Sequence, residues 1–196
     1  MKMRENGFSC DNIVVSFCWN SFPKKRSVGL IAGLQEEKNI FVDCDGAVIA
    51  CGQADGHGDS HHSSIAGVEN AELFDGAIRF CGDNIASGIN EERFIIHLNR
   101  IPSGINQLLL SVNIFKNKNR ASLFSRIESI SVRVQNADDE TDSIEYTKKQ
   151  TIGSRTLALI IGKIYRQDGE WCFEGMEEEC TGASKTEDLL KYADSI

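Results

Sequence analysis

The stretch FDGAIRFCGDNIASGINEERFIIHL, residues 74–98, sets Asp75, Asp83, Asn84, Glu91 and Glu92 among glycines, between runs that read as β-strand. Carboxylates and amides crowded into one loop hinder folding unless something binds them. Water binds them if the loop is a solvated turn, and a hard cation binds them if it is a site. A second acidic group lies upstream in Asp43-Cys44-Asp45, where a period of two places both carboxylates on the same side of a strand. Ca²⁺ takes roughly six to eight oxygen ligands at roughly 2.3–2.6 Å in a tolerant geometry. Asp43, Asp45, Asp83, Asn84, Glu91 and Glu92, with the neutral amide of Asn70, make an oxygen-only donor set. Such a set suits Ca²⁺ or Mg²⁺ rather than zinc or copper. The same residue types dominate turns for backbone reasons alone, so both uses stay open on the residues themselves. An EF-hand is excluded, because the D-x-D-x-D-G spacing is absent and no helices flank the loop.

The segment DGHGDSHH offers His57, His61 and His62. Spacing i, i+4 suits zinc on a helix, but Gly56 and Gly58 oppose helix here, and the segment reads as an exposed loop. There is no G-x-S-x-G elbow, no G-x-x-x-x-G-K-[ST] phosphate loop and no local Cys–His motif. A metal-assisted hydrolase built on these histidines therefore ranks behind two non-enzymatic readings, and no catalytic residue is assigned. One is a calcium-binding protein. The other is a metal-free interaction module on the same fold.

Short strands must position these residues. In NIVVSFCWN, a period of two puts Ile13, Val15, Phe17 and Trp19 on one face. SVGLIAGL and IFVDCDGAVIAC are strand-like. RFIIHL aligns Phe94, Ile96 and Leu98; NQLLLSVNIF aligns Leu108, Leu110, Val112 and Ile114; ESISVRVQN aligns Ile130, Val132 and Val134. TLALIIGKIY is joined to WCF through Asp168-Gly169, a hairpin signal. ASLFSRI is read as a short helical turn. Ser184 and Glu187 form a capping box before Leu189, Leu190 and Tyr192. Seven or more regularly spaced strands predict an all-β, two-sheet β-sandwich closed by a short C-terminal helix. Residues 1–196 are read as one domain, since no composition break marks a boundary.

A formal net charge of -8 disfavours nucleic acid as the main partner. The seven cysteines are odd in number, include no C-x-x-C pair and mostly sit in apolar runs, so neither a disulfide framework nor a zinc knuckle is expected. MKMRENGFSCDN lacks the apolar core of a secretion signal. A reducing, cytoplasmic setting is expected, with membrane contact at most peripheral.

Several segments, in order, resemble the TerD family of tellurium-resistance and bacterial stress proteins. They are VSFCWN, VDCDGAVIAC, VENAELFDGAIRFCGDNIASG, SLFSRIESISVRVQN, LALIIGKIYRQDGEWCFEGM and CTGASKTEDLLKYA, spanning residues 10–193. The resemblance implies a β-sandwich that binds Ca²⁺ in acidic loops at one end, without enzymatic activity, within a stress-response complex of other proteins. Its matching ligand positions are Asp43, Asp45, Asn70, Asp83 and Asn84. The family commonly carries a longer loop with a Gly-Asp-Asp-Glu cluster where this chain reads IASGINEERF. Glu91 and Glu92 fall near it, but two aspartates are missing, which leaves one or two ions open and lowers the expected affinity.

Overall fold

The computed structural model describes residues 7–21, 42–52, 63–83, 90–114, 124, 126–149 and 156–193. Strand β1 (Asn12–Ser21) buries Ile13, Val15, Phe17 and Trp19, as its alternation requires. Ten further strands follow: β2 (Asp45–Gly52), β3 (Ser63–Ala66), β4 (Glu72–Leu73), β5 (Ile78–Asp83) and β6 (Asn90–His97), then β7 (Ile105–Asn113), β8 (Ile127–Asn136), β9 (Asp139–Lys149), β10 (Ala158–Gln167) and β11 (Glu170–Glu179). A 3₁₀ turn, Leu98–Arg100, follows β6, and helix α1 spans Asp188–Ala193. The strands form two antiparallel sheets, a six-stranded one in the order β4-β5-β6-β1-β8-β9 and a five-stranded one in the order β11-β10-β7-β2-β3. This is the expected β-sandwich with its short C-terminal helix.

Two apolar layers hold it together. Between the sheets, Phe17 and Phe94 meet edge to face, with ring centroids 5.7 Å apart, among Val15, Ile96, Leu108, Leu110 and Val112. On the outer face of the five-stranded sheet, Ile49, Leu109 and Ile160 pack against Leu189 and Ala193 of α1. β7 is therefore apolar on both faces, which explains the unbroken Leu108-Leu109-Leu110 run.

Asp168 and Gly169 turn the β10–β11 hairpin with left-handed φ of 52° and 86°, the conformation that an Asp-Gly pair tolerates best. Three expectations change. β2 starts at Asp45, so Asp43 lies in the lead-in and not inside the strand. The Ser184 partner is Asp188, not Glu187: the Ser184 backbone N–H and hydroxyl donate to Asp188 Oδ2 at 2.9 and 3.0 Å, one residue later than the capping box. β9 went unread because DETDSIEYTKK is too polar to show alternation. SVGLIAGL lies outside the described residues. So does most of ASLFSRI, of which Phe124 is helical and buried.

β9 and β11, the last strands of the two sheets, meet along one side of the sandwich. The Tyr146 ring covers Gly175, where an added Cβ would lie 2.2 Å from Tyr146 Cδ2. Tyr146 donates its hydroxyl to Glu177 at 2.9 Å, and Lys148 pairs with the same carboxylate. The outward positions of β9, including Asp139, Glu140, Glu145 and Lys149, are exposed.

Gly175→Ala is expected to cost about 1–3 kcal/mol by forcing the Tyr146 ring aside. Urea unfolding checks it, and pairing it with Tyr146→Ala should recover part of the loss. Asp188 is held down at about 2, first by the Ser184 backbone N–H, then by the Ser184 hydroxyl and Lys191. Its folded value lies below the ordinary 3.8, so its contribution is complete above about pH 4 and disappears as pH falls through about 2. Amide exchange at Ser184 should accelerate over that window in the native chain and show no such step in Asp188→Asn.

Candidate functional site

Successive residues of a strand face opposite ways. On β6, Phe94 and Ile96 fill the core, and Glu92 shares their face at 2% exposure. Its carboxylate leaves the six-stranded sheet and accepts the Gly46 backbone N–H of β2, in the other sheet, at 2.5 Å. Only glycine fits at 46, because an added Cβ would lie 2.8 Å from Phe17 Cδ2 and 3.0 Å from Glu92 Oε2. The neighbouring backbone is held from both sheets as well. Trp19 Nε1 donates to the Val42 carbonyl at 2.8 Å, and Asn113 Nδ2 donates to the Asp45 carbonyl at 3.0 Å. Residues 42–46 are thus fixed at one end of the sandwich.

Asp45 lies on the other side of this backbone and lines a cleft of about 350 Å³ with Glu69, Asn70, Asn113 and Glu187. The turn carrying Asn70 is closed by its own groups. Its carbonyl accepts the Gly67 N–H at 2.9 Å, and its Nδ2 donates to the Ile65 carbonyl at 3.0 Å, which leaves Oδ1 as its available donor atom for a cation. Asp43 is exposed, after buried Val42 and before buried Cys44.

Strand β5 carries one extra residue between Phe80 and Asp83, with Gly82 at φ 82°. This bulge sets the Asp83 backbone opposite Glu92. Asn84, Gly88 and the histidines His57, His61 and His62 lie outside the described residues. Glu91 is not brought to Glu92. It projects from the opposite face of β6, and Arg93 Nη2 reaches its carboxylate at 2.9 Å. Asp75 serves a turn: Phe74, Asp75 and Gly76 are all left-handed, and the Asp75 carbonyl accepts from Arg100.

The structure therefore gathers Asp45, Asn70 and Glu92 about the start of β2, with the Asp83 backbone alongside. Among the described residues, no group of three or more His, Cys, Asp or Glu side chains is placed to hold a metal ion. Glu69, Asn113 and Glu187 were not singled out by sequence as site residues, Glu187 being read as a helix-capping residue. Glu69 adjoins Asn70, but Asn113 becomes visible only through its register with Asp45, and Glu187 only through the seat of α1.

All seven cysteines are free thiols. Burial, with Glu91 nearby, pushes Cys18 up to about 11, and burial, with Glu178, pushes Cys180 up to about 12. Burial, beside Asp43, Asp45 and Glu92, also pushes the Cys44 thiol well up. Thiolate chemistry is suppressed at these positions. Cys81, on the β5 bulge, is exposed.

The fold defines the class first: an antiparallel two-sheet sandwich with an acidic end. The TerD domain model matches residues 3–186, and the chain belongs to the TerD family. Stress response protein SCP2 of Bacillus subtilis (strain 168) is 25% identical over 91% of this chain and 87% of its own length. Chemical-damaging agent resistance protein B of Clostridium acetobutylicum is 30% identical over 55% of this chain and 78% of its own. Tellurium resistance protein TerD of Serratia marcescens is 26% identical over 58% and 59%. The crystal structure of a telluride resistance protein (TerD) homologue from Streptomyces coelicolor A3(2) superposes with a TM-score of 0.55 over 87% of this chain and 90% of that one, at 14% identity.

Glu92→Ala should strand the Gly46 N–H and lower stability by about 1–3 kcal/mol, whereas Glu92→Gln, which keeps an acceptor, should lose less; chemical denaturation separates them. A maleimide at neutral pH should label Cys81 well before the other six cysteines, as peptide mapping would reveal.

Proposed function

We propose that this TerD-family chain is a non-enzymatic, cytoplasmic stress-response protein that binds Ca²⁺ at the acidic end of its sandwich. One observation carries the reading: a buried carboxylate, Glu92, is brought from one sheet to the β2 start that bears Asp45 in the other. Asp45 and Asn70 open to one cleft, and all these donors are oxygens. Asp45 and Asn70 would hold the ion in that cleft, with the Glu92 carboxylate behind the β2 backbone and Asp43, Asp83 and Asn84 as the further sequence candidates. The ion would offset the repulsion among these carboxylates and join the two sheets, so that loading and stability are linked. The names of the relatives, stress response and tellurium resistance, support the physiological setting. Partners would be other proteins of a stress-response complex. Among the described residues no helix is long and apolar enough to cross a membrane.

One observation favours a second reading, a metal-free interaction module. Glu91, the β6 carboxylate next to the shortened loop, is already engaged by Arg93.

Calorimetric titration of chelator-treated protein separates the two. Saturable Ca²⁺ binding, with Mg²⁺ much weaker, is expected, together with a rise in Tm. At a hundredfold excess over Kd the added stability is about 2.7 kcal/mol. Asp45→Asn should abolish both effects and leave the chelated Tm near that of the native chain. No heat and no Tm change would leave the metal-free module.

A further inference from the structure

The end of the sandwich opposite Glu92 holds a separate cleft of about 470 Å³, between the 7–11 segment, the 3₁₀ turn and the β10–β11 hairpin. Arg166 stands in it. Its guanidinium lies over the Trp171 ring, 4.5 Å from the centroid, and Nη2 donates to the Ile101 carbonyl at 3.0 Å. Among the described residues, none of its remaining N–H groups has an acceptor, Nε is buried without one, and no carboxylate pairs with it. A guanidinium offers five donors in a planar fork that matches a carboxylate. Nε itself is enclosed, so a ligand in the cleft would meet the guanidinium through its Nη groups. Asp11 and Glu170 line the same cleft, which disfavours a phosphate dianion and supplies a place for a cation. Ser9, Asn99 and Ser103 add neutral hydrogen-bonding groups.

We propose that this cleft binds a small zwitterion of the α-amino acid class, its carboxylate on Arg166 and its ammonium facing Asp11 and Glu170. The site shares no residue with the acidic end and does not rest on the calcium reading.

The test is an NMR titration of the full chain with L-alanine, acetate and inorganic phosphate, each alone. The reporters are the Arg166 Nε–H and Trp171 indole N–H signals. Saturable shifts with alanine are expected, weaker ones with acetate, and none in Arg166→Gln. In the double variant Asp11→Asn, Glu170→Gln, whose changes are exposed, alanine binding should weaken about threefold or more and acetate binding should not, as for loss of an exposed ion pair. Absence of shifts with all three probes, shifts with phosphate alone, or shifts that persist in Arg166→Gln would overturn the proposal. If Arg166→Gln fails to fold, the double variant decides: an unchanged preference for alanine over acetate sinks it.

Discussion

A carboxylate that crosses from one sheet to the other sets the geometry of the acidic end. Glu92 is an ionisable side chain at 2% exposure, and charge is tolerated there only when hydrogen-bonded. Its hydrogen bond to Gly46 fixes how the two sheets are spaced at that end. The consequences spread outward. Residue 46 must lack a side chain, Phe17 can then pack against it, and Trp19 can reach the Val42 carbonyl. The lead-in to β2 becomes rigid, and Asp45 is presented to the cleft as part of that rigid frame. Sites built on strands hold their geometry better than sites carried by loops alone.

The strands that bury one face were legible from the alternation of β-branched and aromatic residues, as in Ile13, Val15, Phe17 and Trp19. β9 was not, because an edge strand in contact with water needs few apolar residues, and Asp142 takes a buried position where an apolar one is expected. The helix was legible, and the partner of Ser184 was displaced by one residue, from Glu187 to Asp188. The site was legible as a set of residue types. Its assembly was only half legible. Counting back from Phe94 and Ile96 assigns Glu92 to the core face and Glu91 to the outer one, so parity carried that signal. Partners such as Asn113 depend on strand order, which no local pattern encodes.

The two ends of the sandwich differ in chemistry. One gathers carboxylate and amide oxygens about the start of β2. The other holds a guanidinium stacked on an indole. The strands between them are apolar and close-packed, so they keep the two ends apart and at fixed orientation. The sandwich itself is shared by a solved TerD homologue at 14% identity.

The charged border of β9 has a consequence for behaviour at high concentration. An open strand with alternating apolar residues is a template on which a second copy adds, and that route leads to fibrils. Here Asp139, Glu140, Glu145 and Lys149 stand exposed along that strand, and Tyr146 is pinned across to Gly175. A second copy aligned alongside would face repulsion and no flat surface. The native sandwich gains colloidal stability at high concentration from this arrangement.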